Sequence, residues 1–242
     1  MYSIFTSDLH LCPTRPAINR IFFGFLRGPA AQAEALYILG DLFEYWAGDD
    51  DDDPFNASVA AALRELADRG VALFLMHGNR DFLIGERFTA ACRAKLLPDP
   101  TQMNLYGVPT LLMHGDTLCT DDLGYQEFRA KVRDPGYQQQ FLAQSLENRK
   151  QIIAGLRARS SEEKQRKPES IMDVTPAAVE AVLRKHGYPR LIHGHTHRPA
   201  LHRHGIDGHD CERWVLADWY TSGSYLHCDA AGCRVITLPA LQ

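Results

Sequence analysis

Five short polar motifs constrain the fold of this 242-residue chain more than any other feature of its sequence. Each motif follows a run of β-type residues, and the fifth run is short. The motifs are Asp8-Leu9-His10, Gly40-Asp41, Gly78-Asn79-Arg80-Asp81, His114-Gly115-Asp116 and Gly194-His195-Thr196-His197. Residues at the carboxyl ends of strands build the active sites of open α/β sheets. The motifs therefore predict strands whose ends bring carboxylates, imidazoles and one amide together.

Strands and helices alternate along most of the chain, and only strands follow near its end. The β-type runs before the motifs cover residues 2–7, 35–39, 71–76, 110–113 and 190–192. Helical patterns between them cover 16–26, 58–67 and 86–94. Short strands without intervening helices are predicted at 214–217, 224–228 and 233–238. This order predicts an α/β (α+β) fold with two mixed β-sheets packed together and flanked by helices.

Residues 121–168 interrupt the alternation with a helical insertion. Apolar residues recur there at helical spacing, Pro135-Gly136 separates two predicted helices, and Lys167-Pro168 ends the segment. Between Arg149 and Lys167 lie seven basic residues and two acidic ones. Such a run is either the solvated face of a helix or part of a cap that binds an anionic, partly apolar ligand. The sequence leaves both interpretations open.

The residue types in the motifs are those that hold divalent metals for phosphate chemistry. Oxygen ligands mixed with imidazole suit Mn²⁺, iron or zinc. Two such ions about 3.5–4 Å apart acidify a shared water and clamp phosphoryl oxygens. The candidate ligands are Asp8, His10, Asp41, Asn79, His114, His195 and His197. Asp41 is the candidate carboxylate between the two metals, and the neutral amide of Asn79 limits the negative charge of the site.

Charge, apolar runs and cysteines exclude several classes of function. The net charge of −4 is unlike that of a general nucleic-acid binder, so we expect no nucleic-acid partner. No stretch approaches about 18 uninterrupted apolar residues, and no signal-peptide pattern opens the sequence, so we expect a cytoplasmic protein. The six cysteines include no C-x-x-C pair, and we expect no disulfide framework and a reduced compartment.

Three other groups of polar or aromatic residues have alternative interpretations. The group of His202, His204, His209 and Cys211 has two interpretations. It is either a second metal site or a polar β-hairpin with solvent-exposed histidines, and we favour the hairpin. The acidic run at 49–53 is expected to be an exposed loop. Trp46, close to Asp41 in sequence, either lines the site or belongs to the core.

The motifs D-x-H, G-D, G-N, H-G-D and G-H-x-H, in this order, resemble those of the calcineurin-like metallophosphoesterase superfamily. The resemblance implies a mixed β-sandwich flanked by helices. It also implies a centre of two metal ions, of the Mn²⁺ or the Fe/Zn type, and of these it favours Mn²⁺. It implies that one ion is held by Asp8, His10, Asp41 and His197. The other is then held by Asp41, Asn79, His114 and His195. A single domain over residues 1–242, with the helical cap 121–168 inserted in it, follows from the same resemblance.

Two departures from the superfamily pattern narrow the resemblance. Glu44 stands where many members carry aspartate, and Arg80 replaces the histidine that often follows the asparagine. Both departures, with the basic insertion, resemble the UDP-2,3-diacylglucosamine hydrolase family of the lipid A pathway in Gram-negative bacteria. That resemblance implies attack of water, positioned by Asp41 between the metals, on the α-phosphate. The implied products are UMP and 2,3-diacylglucosamine 1-phosphate (lipid X).

The hydrolase resemblance also implies a set of substrate contacts. These are Asn79, Arg80, Asp122, Ser160, Lys164, Lys167 and His195. Arginine keeps its proton in proteins, so Arg80 is a poor general acid and a good phosphate clamp. A leaving sugar phosphate, with a second pKa of about 6, needs no proton, unlike a leaving alkoxide. Arg80 therefore predicts an anhydride substrate in preference to an alkyl ester.

Three alternative functions fit the sequence less well than this hydrolase. A metallophosphoesterase acting on another nucleotide anhydride, such as a dinucleotide or an ADP-sugar, would not need a basic amphipathic cap. A catalytically inactive binding protein would have lost ligands, and a nucleic-acid phosphodiesterase is disfavoured by the net charge. The lipid-linked substrate predicts peripheral attachment to the cytoplasmic face of the inner membrane. The oligomeric state stays open, with a monomer favoured because no coiled-coil seam is visible.

Overall fold

A computed structural model describes residues 1–166 and 169–239 of the chain, with the side chains of 161–170 left out of the description. In this part of the chain eleven strands form two mixed sheets, in agreement with the predicted fold class. Each sheet has one face against the other sheet and one face toward helices. The carboxyl ends of the central strands meet at one edge of this sandwich.

The first sheet is built around parallel strands that are buried on both faces. In spatial order its strands are β11 (Gly232–Leu238), β10 (Gly223–Asp229), β1 (Ser3–Thr6), β2 (Ala35–Leu39), β3 (Ala72–Met76) and β4 (Ala94–Leu97). β1 to β4 are parallel, and β10 and β11 are antiparallel additions. All residues of β1 and β2 are buried, which explains why β2 is a continuous apolar run and why β1 has Ile4 and Phe5 at its centre.

The second sheet carries the remaining two motifs. In spatial order its strands are β5 (Thr101–Leu105), β6 (Val108–Leu112), β7 (Arg190–His193), β9 (His209–Val215) and β8 (Ala200–Ile206). β6 and β7 are parallel, so the motifs that follow them leave the sheet on the same side. Phe5, Tyr37 and Leu39 of the first sheet pack against Leu112 and Ile192 of the second to form the core between the sheets.

Helices cover the outer faces of both sheets. The first sheet packs against α1 (Pro16–Arg27), α2 (Pro54–Asp68) and α3 (Glu86–Cys92). The second sheet packs against α7 (Pro176–Lys185), whose Val179 and Leu183 are fully buried. Each of these helices therefore buries one apolar face on a sheet.

The predicted insertion contains three helices and not two. They are α4 (Leu123–Val132), α5 (Pro135–Leu142) and α6 (Leu146–Arg166). Asp134 caps α5 by accepting a hydrogen bond from the Tyr137 backbone N–H, so Pro135 begins a helix. The break between α5 and α6, near Ser145, was not predicted because no proline or glycine marks it. β4, β5 and α7 were also not predicted, because β4 and β5 are half-exposed and lack apolar runs.

The C-terminal hairpins correct one expectation and clarify another. Cys228 and Cys233 face each other across β10 and β11 and form a disulfide, although no disulfide framework was expected. Within the hairpin of β8 and β9, His202 and His209 are exposed, and His209 stacks on Tyr188 with ring centroids 4.0 Å apart. Among the described residues, no helix is both long and apolar enough to cross a bilayer.

Candidate metal centre

The seven predicted ligands lie at the carboxyl ends of five strands and approach one another there. Backbone hydrogen bonds hold the loops together: His10 N–H donates to the Asp41 carbonyl at 2.9 Å, and Gly194 N–H donates to the His114 carbonyl at 2.8 Å. The first bond joins the ends of β1 and β2, and the second joins the ends of β6 and β7. Both sheets therefore contribute ligands to one site.

Two overlapping groups of three side chains are able to hold an ion, each with ligand atoms within 4.8 Å of one another. The first group is Asp8, His10 and His197, with Asp8 Oδ1 3.3 Å from His197 Nε2. The second is Asp8, Asp41 and His114. Asp8 is common to both groups, whereas the sequence predicted Asp41 as the shared carboxylate. Asp41 Oδ2 also lies 3.8 Å from His10 Nε2, so Asp41 contacts both halves of the site.

Asn79 organises the remaining ligands around its side-chain oxygen. This Oδ1 lies 3.1 Å from His114 Nε2 and 3.0 Å from His195 Nδ1. The other nitrogen of His114, Nδ1, lies 2.9 Å from the Leu39 carbonyl, which fixes the orientation of the ring. One amide oxygen and two imidazole nitrogens thus converge on one point, as a shared ion requires.

The backbone of the site is strained at most of its ligands. Asp8, His10, Asp41, His195 and His197 have φ values of 54°, 48°, 54°, 69° and 55°. Residues other than glycine rarely adopt this left-handed region, and each instance costs on the order of 1–3 kcal/mol. Such strain persists only where the surrounding fold imposes it, and it clusters at functional sites. The concentration of five cases here marks the strand ends as the functional centre.

Two glycines allow the ligand loops to approach each other. A Cβ atom at Gly78 would lie 2.0 Å from Asp41 Oδ1, and one at Gly194 would lie 2.0 Å from Ser7 Oγ and 2.3 Å from Asp8 Oδ2. No side chain fits at either position. The glycine that precedes Asn79 and the glycine that precedes His195 are therefore required for packing.

Asp81 is a positioning residue whose role was not predicted. Its carboxylate is buried and accepts hydrogen bonds from the backbone N–H groups of Gly78 at 2.8 Å and Leu42 at 2.7 Å. It thereby ties the loop after β3 to the loop after β2. The backbone groups that Asp81 holds come from two loops distant in sequence, so its role is visible only in three dimensions.

The site also contains buried polar atoms that make no hydrogen bond among the described residues. These are Asp8 Oδ1, which lies 3.3 Å from His197 Nε2, and His10 Nδ1, which lies 3.4 Å from Glu44 Oε2. Burial raises the pKa of Asp41, and the charges of Asp81 and Asp8 add to this rise while His114 opposes it. Burial alone would lower the pKa of His114, but the carboxylates of Asp41, Asp116 and Asp8 outweigh it and raise that pKa to about 9. A cation would satisfy these carboxylates and imidazoles, so the donor set fits divalent metal ions.

A cavity of about 600 Å³ opens from the ligands toward the helical segment 123–166. Its lining includes the polar residues His10, Asp41, Asn79, Arg80, His195 and His197. It also includes the apolar residues Phe82, Leu83, Phe128, Val132, Phe141, Ile153, Leu156 and Met172, together with polar residues of the helices such as Gln138, Arg157 and Ser160. One cavity therefore contains both groups suited to anionic chemistry and side chains suited to hydrocarbon.

Most of the predicted substrate contacts lie on this cavity. Asn79, Arg80, Asp122, Ser160 and His195 all line it. The side chain of Lys164 and the whole of Lys167 lie outside the described residues. Trp46 fulfils both of its predicted roles, because it is packed in the core with Phe43 and Phe88 and also lines the cavity.

The acidic run at 49–53 is a loop, as expected, in which Asp50 and Asp52 are exposed and the other three aspartates are partly buried. Asp49 accepts hydrogen bonds from the Trp46 indole and from the backbone of Gly85 and Phe88. Asp50 and Asp51 pair with basic residues of α6. The partners of Asp50 and Asp51 in α6 lie about a hundred residues away along the chain, so no local pattern predicts them.

The basic residues of α6 divide between two roles. Arg149 is 1% exposed and donates to Asp50 and, at 2.6 Å, to the Ala47 carbonyl. Lys150 pairs with Asp51 at 2.8 Å, and Arg157 pairs with Glu44 beside the metal centre. Arg157 and Arg159 also line the cavity. The run is therefore partly a docking surface for the helix and partly a wall of the cavity.

Comparison with known proteins agrees with this geometry. Residues 1–199 match the model of the calcineurin-like phosphoesterase family. A protein of Aromatoleum aromaticum named UDP-2,3-diacylglucosamine hydrolase is 57% identical over 232 residues, which are 96% of this chain and 95% of that protein. A protein of the same name from Xanthomonas axonopodis is 53% identical over 97% of this chain and 98% of its own length. Another from Stenotrophomonas maltophilia is 50% identical over 98% of this chain and 99% of its own length. The chain belongs to the calcineurin-like phosphoesterase family.

Proposed function

We propose that the chain hydrolyses UDP-2,3-diacylglucosamine by attack of water on the α-phosphate. The products are UMP and 2,3-diacylglucosamine 1-phosphate, as in the lipid A pathway. The observation that carries the proposal is the continuity of one cavity from the metal ligands to apolar side chains of α4, α5 and α6. The name of relatives that are 50–57% identical supports the same substrate.

The apolar side chains of the cavity account for the acyl chains. Phe128, Phe141, Ile153 and Leu156 come from three different helices and face one space. Ligand cavities typically measure about 300–1,000 Å³, and this one lies within that range. A soluble dinucleotide has no hydrocarbon chain that would pack against these apolar side chains. The cavity therefore favours a lipid-linked nucleotide sugar over the other nucleotide anhydrides.

The metal centre would hold two divalent ions through the seven residues already described. When bound, such ions activate water and neutralise charge on phosphoryl oxygens. The chain's own residues orient the reaction. Asp41 is fixed by the Arg80 backbone N–H, which donates to its Oδ1 at 2.8 Å. Asn79 holds His114 and His195 in place through its single oxygen.

Arg80 gives the site its preference for an anhydride. Its side chain lines the cavity, beside the ligands Asn79 and Asp41. A guanidinium stays charged and donates several hydrogen bonds in a fixed plane, which suits phosphate oxygens. The departing sugar phosphate carries its charge without needing a proton. The absence of a histidine at this position therefore does not impair this reaction.

The proposal extends to the metal and to the location. Mn²⁺ suits a mixed oxygen and imidazole donor set. Leu123, Phe128 and Leu142 are 71%, 36% and 41% exposed on α4 and α5, where the helices border the cavity. Exposed apolar groups next to basic residues favour peripheral contact with a lipid surface. We place the protein, as a monomer, at the cytoplasmic face of the inner membrane.

The proposal is tested by UMP release from UDP-2,3-diacylglucosamine with and without Mn²⁺. Wild type and Asp210→Ala, an exposed carboxylate on β9, are expected to be active only with the metal. Asp41→Ala is expected to be inactive. An alkyl phosphodiester is expected to react more slowly than the anhydride. Full activity of Asp41→Ala, or turnover of soluble dinucleotides without turnover of the lipid substrate, contradicts the proposal.

A further inference from the structure

The cavity accounts for only one half of the proposed substrate. A diphosphate that reacts at the metal centre has the acylated sugar on one side and the nucleoside on the other. The acylated sugar fills the cavity, so the nucleoside must leave the metal centre in another direction. Tyr220 and Arg15 lie beside the metal ligands, and neither is among the described residues that line the cavity.

Tyr220 presents an aromatic ring next to two ligands of the metal centre. Its ring is nearly parallel to the His10 imidazole, with centroids 5.2 Å apart and an angle of 11° between the planes. The centroid of His197 is 5.4 Å away. Tyr220 is nevertheless 44% exposed. Part of this aromatic residue therefore stays accessible beside the metal ligands.

Arg15 adds a charged, planar group to this surface. Its guanidinium carbon lies 4.6 Å from the centroid of the Tyr220 ring. The guanidinium also donates to the backbone carbonyls of Trp219 at 2.7 Å and His10 at 3.0 Å. These bonds join the loop after β1 to the loop that carries Tyr220. Arg15 thus holds the aromatic ring and the ligand loop in one fixed arrangement.

The loop of Tyr220 is rigid on its other side as well. Trp219 is fully buried, and its indole N–H donates to the Ser224 carbonyl at 2.9 Å. The backbone N–H of Trp219 donates to the Asp8 carbonyl at 3.0 Å. The Asp218 carboxylate accepts a hydrogen bond from the Tyr220 N–H at 3.0 Å. A surface that is fixed before binding loses little entropy when a flat ligand stacks on it.

We propose that Tyr220, held by Arg15, is the binding surface for the nucleobase of the substrate and of the nucleoside monophosphate product. The assignment rests on the proposed function and adds to it the residues that recognise the nucleotide half. Aromatic rings and guanidinium planes are the groups on which proteins stack unpaired bases. If Tyr220 only supported His10, a buried ring would be sufficient. The exposed part of Tyr220 is therefore assigned to a ligand.

The test compares UMP with ribose 5-phosphate, which has the phosphate and the sugar but no base. Binding of each to the Mn²⁺-loaded protein is measured by calorimetry, and each is also measured as an inhibitor of UMP-forming hydrolysis. Stacking of one base contributes roughly 1–3 kcal/mol, so wild type is expected to bind UMP about fivefold to a hundredfold more tightly than ribose 5-phosphate. Tyr220→Ala is expected to remove most of this ratio, and Tyr220→Phe is expected to keep it.

Tyr188→Ala is the matched control. Tyr188 also stacks on a histidine, His209, but it lies on the far side of the second sheet next to α7. Its removal is expected to leave the ratio unchanged. An equal loss of UMP and ribose 5-phosphate binding in Tyr220→Ala would show that Tyr220 only positions His10 and would overturn the proposal.

Failure of the proposed function has a different signature. In that case the protein would release no UMP from UDP-2,3-diacylglucosamine. A preference of the Mn²⁺-loaded protein for UMP over ribose 5-phosphate that depends on Tyr220 would still support the nucleobase surface. Equal affinity of wild type for the two ligands would contradict it.

Discussion

The metal centre and the helical segment 123–166 meet at one cavity, yet they are built in opposite ways. Asp8, His10, Asp41 and His114 are almost fully buried, and their positions are set by strand ends and backbone hydrogen bonds. The helical segment is attached mainly by side chains, such as Arg149 and Lys150, that reach the acidic run at 49–53. Chemistry is thus placed on the rigid part of the molecule, and selection of the substrate is placed on the part with fewer backbone constraints.

The largest expected difference between the metal centre and the helical segment comes from replacing one glycine in each by alanine. Gly194→Ala places a methyl group against Ser7 and Asp8, so the His195 loop must shift. A displacement of about 1 Å at a catalytic group costs on the order of a hundredfold in rate, and we expect at least this loss. Gly155→Ala in α6 has no atom within 4 Å and is expected to keep activity. Alanine there stabilises an exposed helix by about 1 kcal/mol. Steady-state rates and thermal unfolding of both variants check this contrast, and an active Gly194→Ala would contradict it.

A smaller effect is expected when the charge of the metal centre is titrated. The pKa of His114 is raised to about 9 in the metal-free protein, so its imidazole is protonated at pH 7. A ligand imidazole must be neutral, and metal binding must therefore release this proton. Apparent affinity for Mn²⁺ is expected to rise about tenfold for each pH unit between 7 and 9 and to level off above 9, because one proton is displaced.

Calorimetry in two buffers of different ionisation enthalpy measures the proton release directly. His202→Ala, in the exposed hairpin of β8 and β9, is the control and is expected to retain the same pH dependence. An affinity that does not change between pH 7 and 9 would show that His114 is neutral before the metal binds.

The smallest of the three effects concerns the attachment of α6. Arg149→Met removes a buried hydrogen bond to the Ala47 carbonyl and the pair with Asp50. Since Asp50 is more than half exposed, its charge is easily solvated, and we expect a loss of about 1–2 kcal/mol in the free energy of unfolding. Arg87→Met breaks an exposed pair with Asp52 in the same acidic run and should cost less than about 0.5 kcal/mol. Denaturant unfolding and hydrogen exchange in α6 measure both, and equal effects would show that Arg149 does not dock the helix.

The fold class was predictable from the sequence, and the candidate ligands could be named from it, because both are encoded locally. β1, β2 and β3 are short apolar runs that end in polar residues, and that pattern alone indicates buried parallel strands with a site at their ends. The role proposed for Arg80 also rests on residue chemistry. Where the pattern is weak, as in the half-exposed β4 and β5, prediction failed.

The rest of the site depends on contacts between distant residues. Asp81 and Arg15 act on backbone groups that no spacing rule identifies. The pairs of α6 with residues 49–53 join segments about a hundred residues apart, and the disulfide between Cys228 and Cys233 depends on the register of two strands. The left-handed φ values of five ligands likewise follow from the assembled fold and not from residue type. Local chemistry predicts which residues react, and tertiary packing decides how they are held.

The most direct test of the central claim is the position of the oxygen that water contributes. UDP-2,3-diacylglucosamine is hydrolysed in ¹⁸O-labelled water with Mn²⁺, and both products are analysed by mass spectrometry. Attack on the α-phosphate predicts one ¹⁸O atom in UMP and none in 2,3-diacylglucosamine 1-phosphate. Label in the lipid product, or no hydrolysis of this anhydride, would contradict the account.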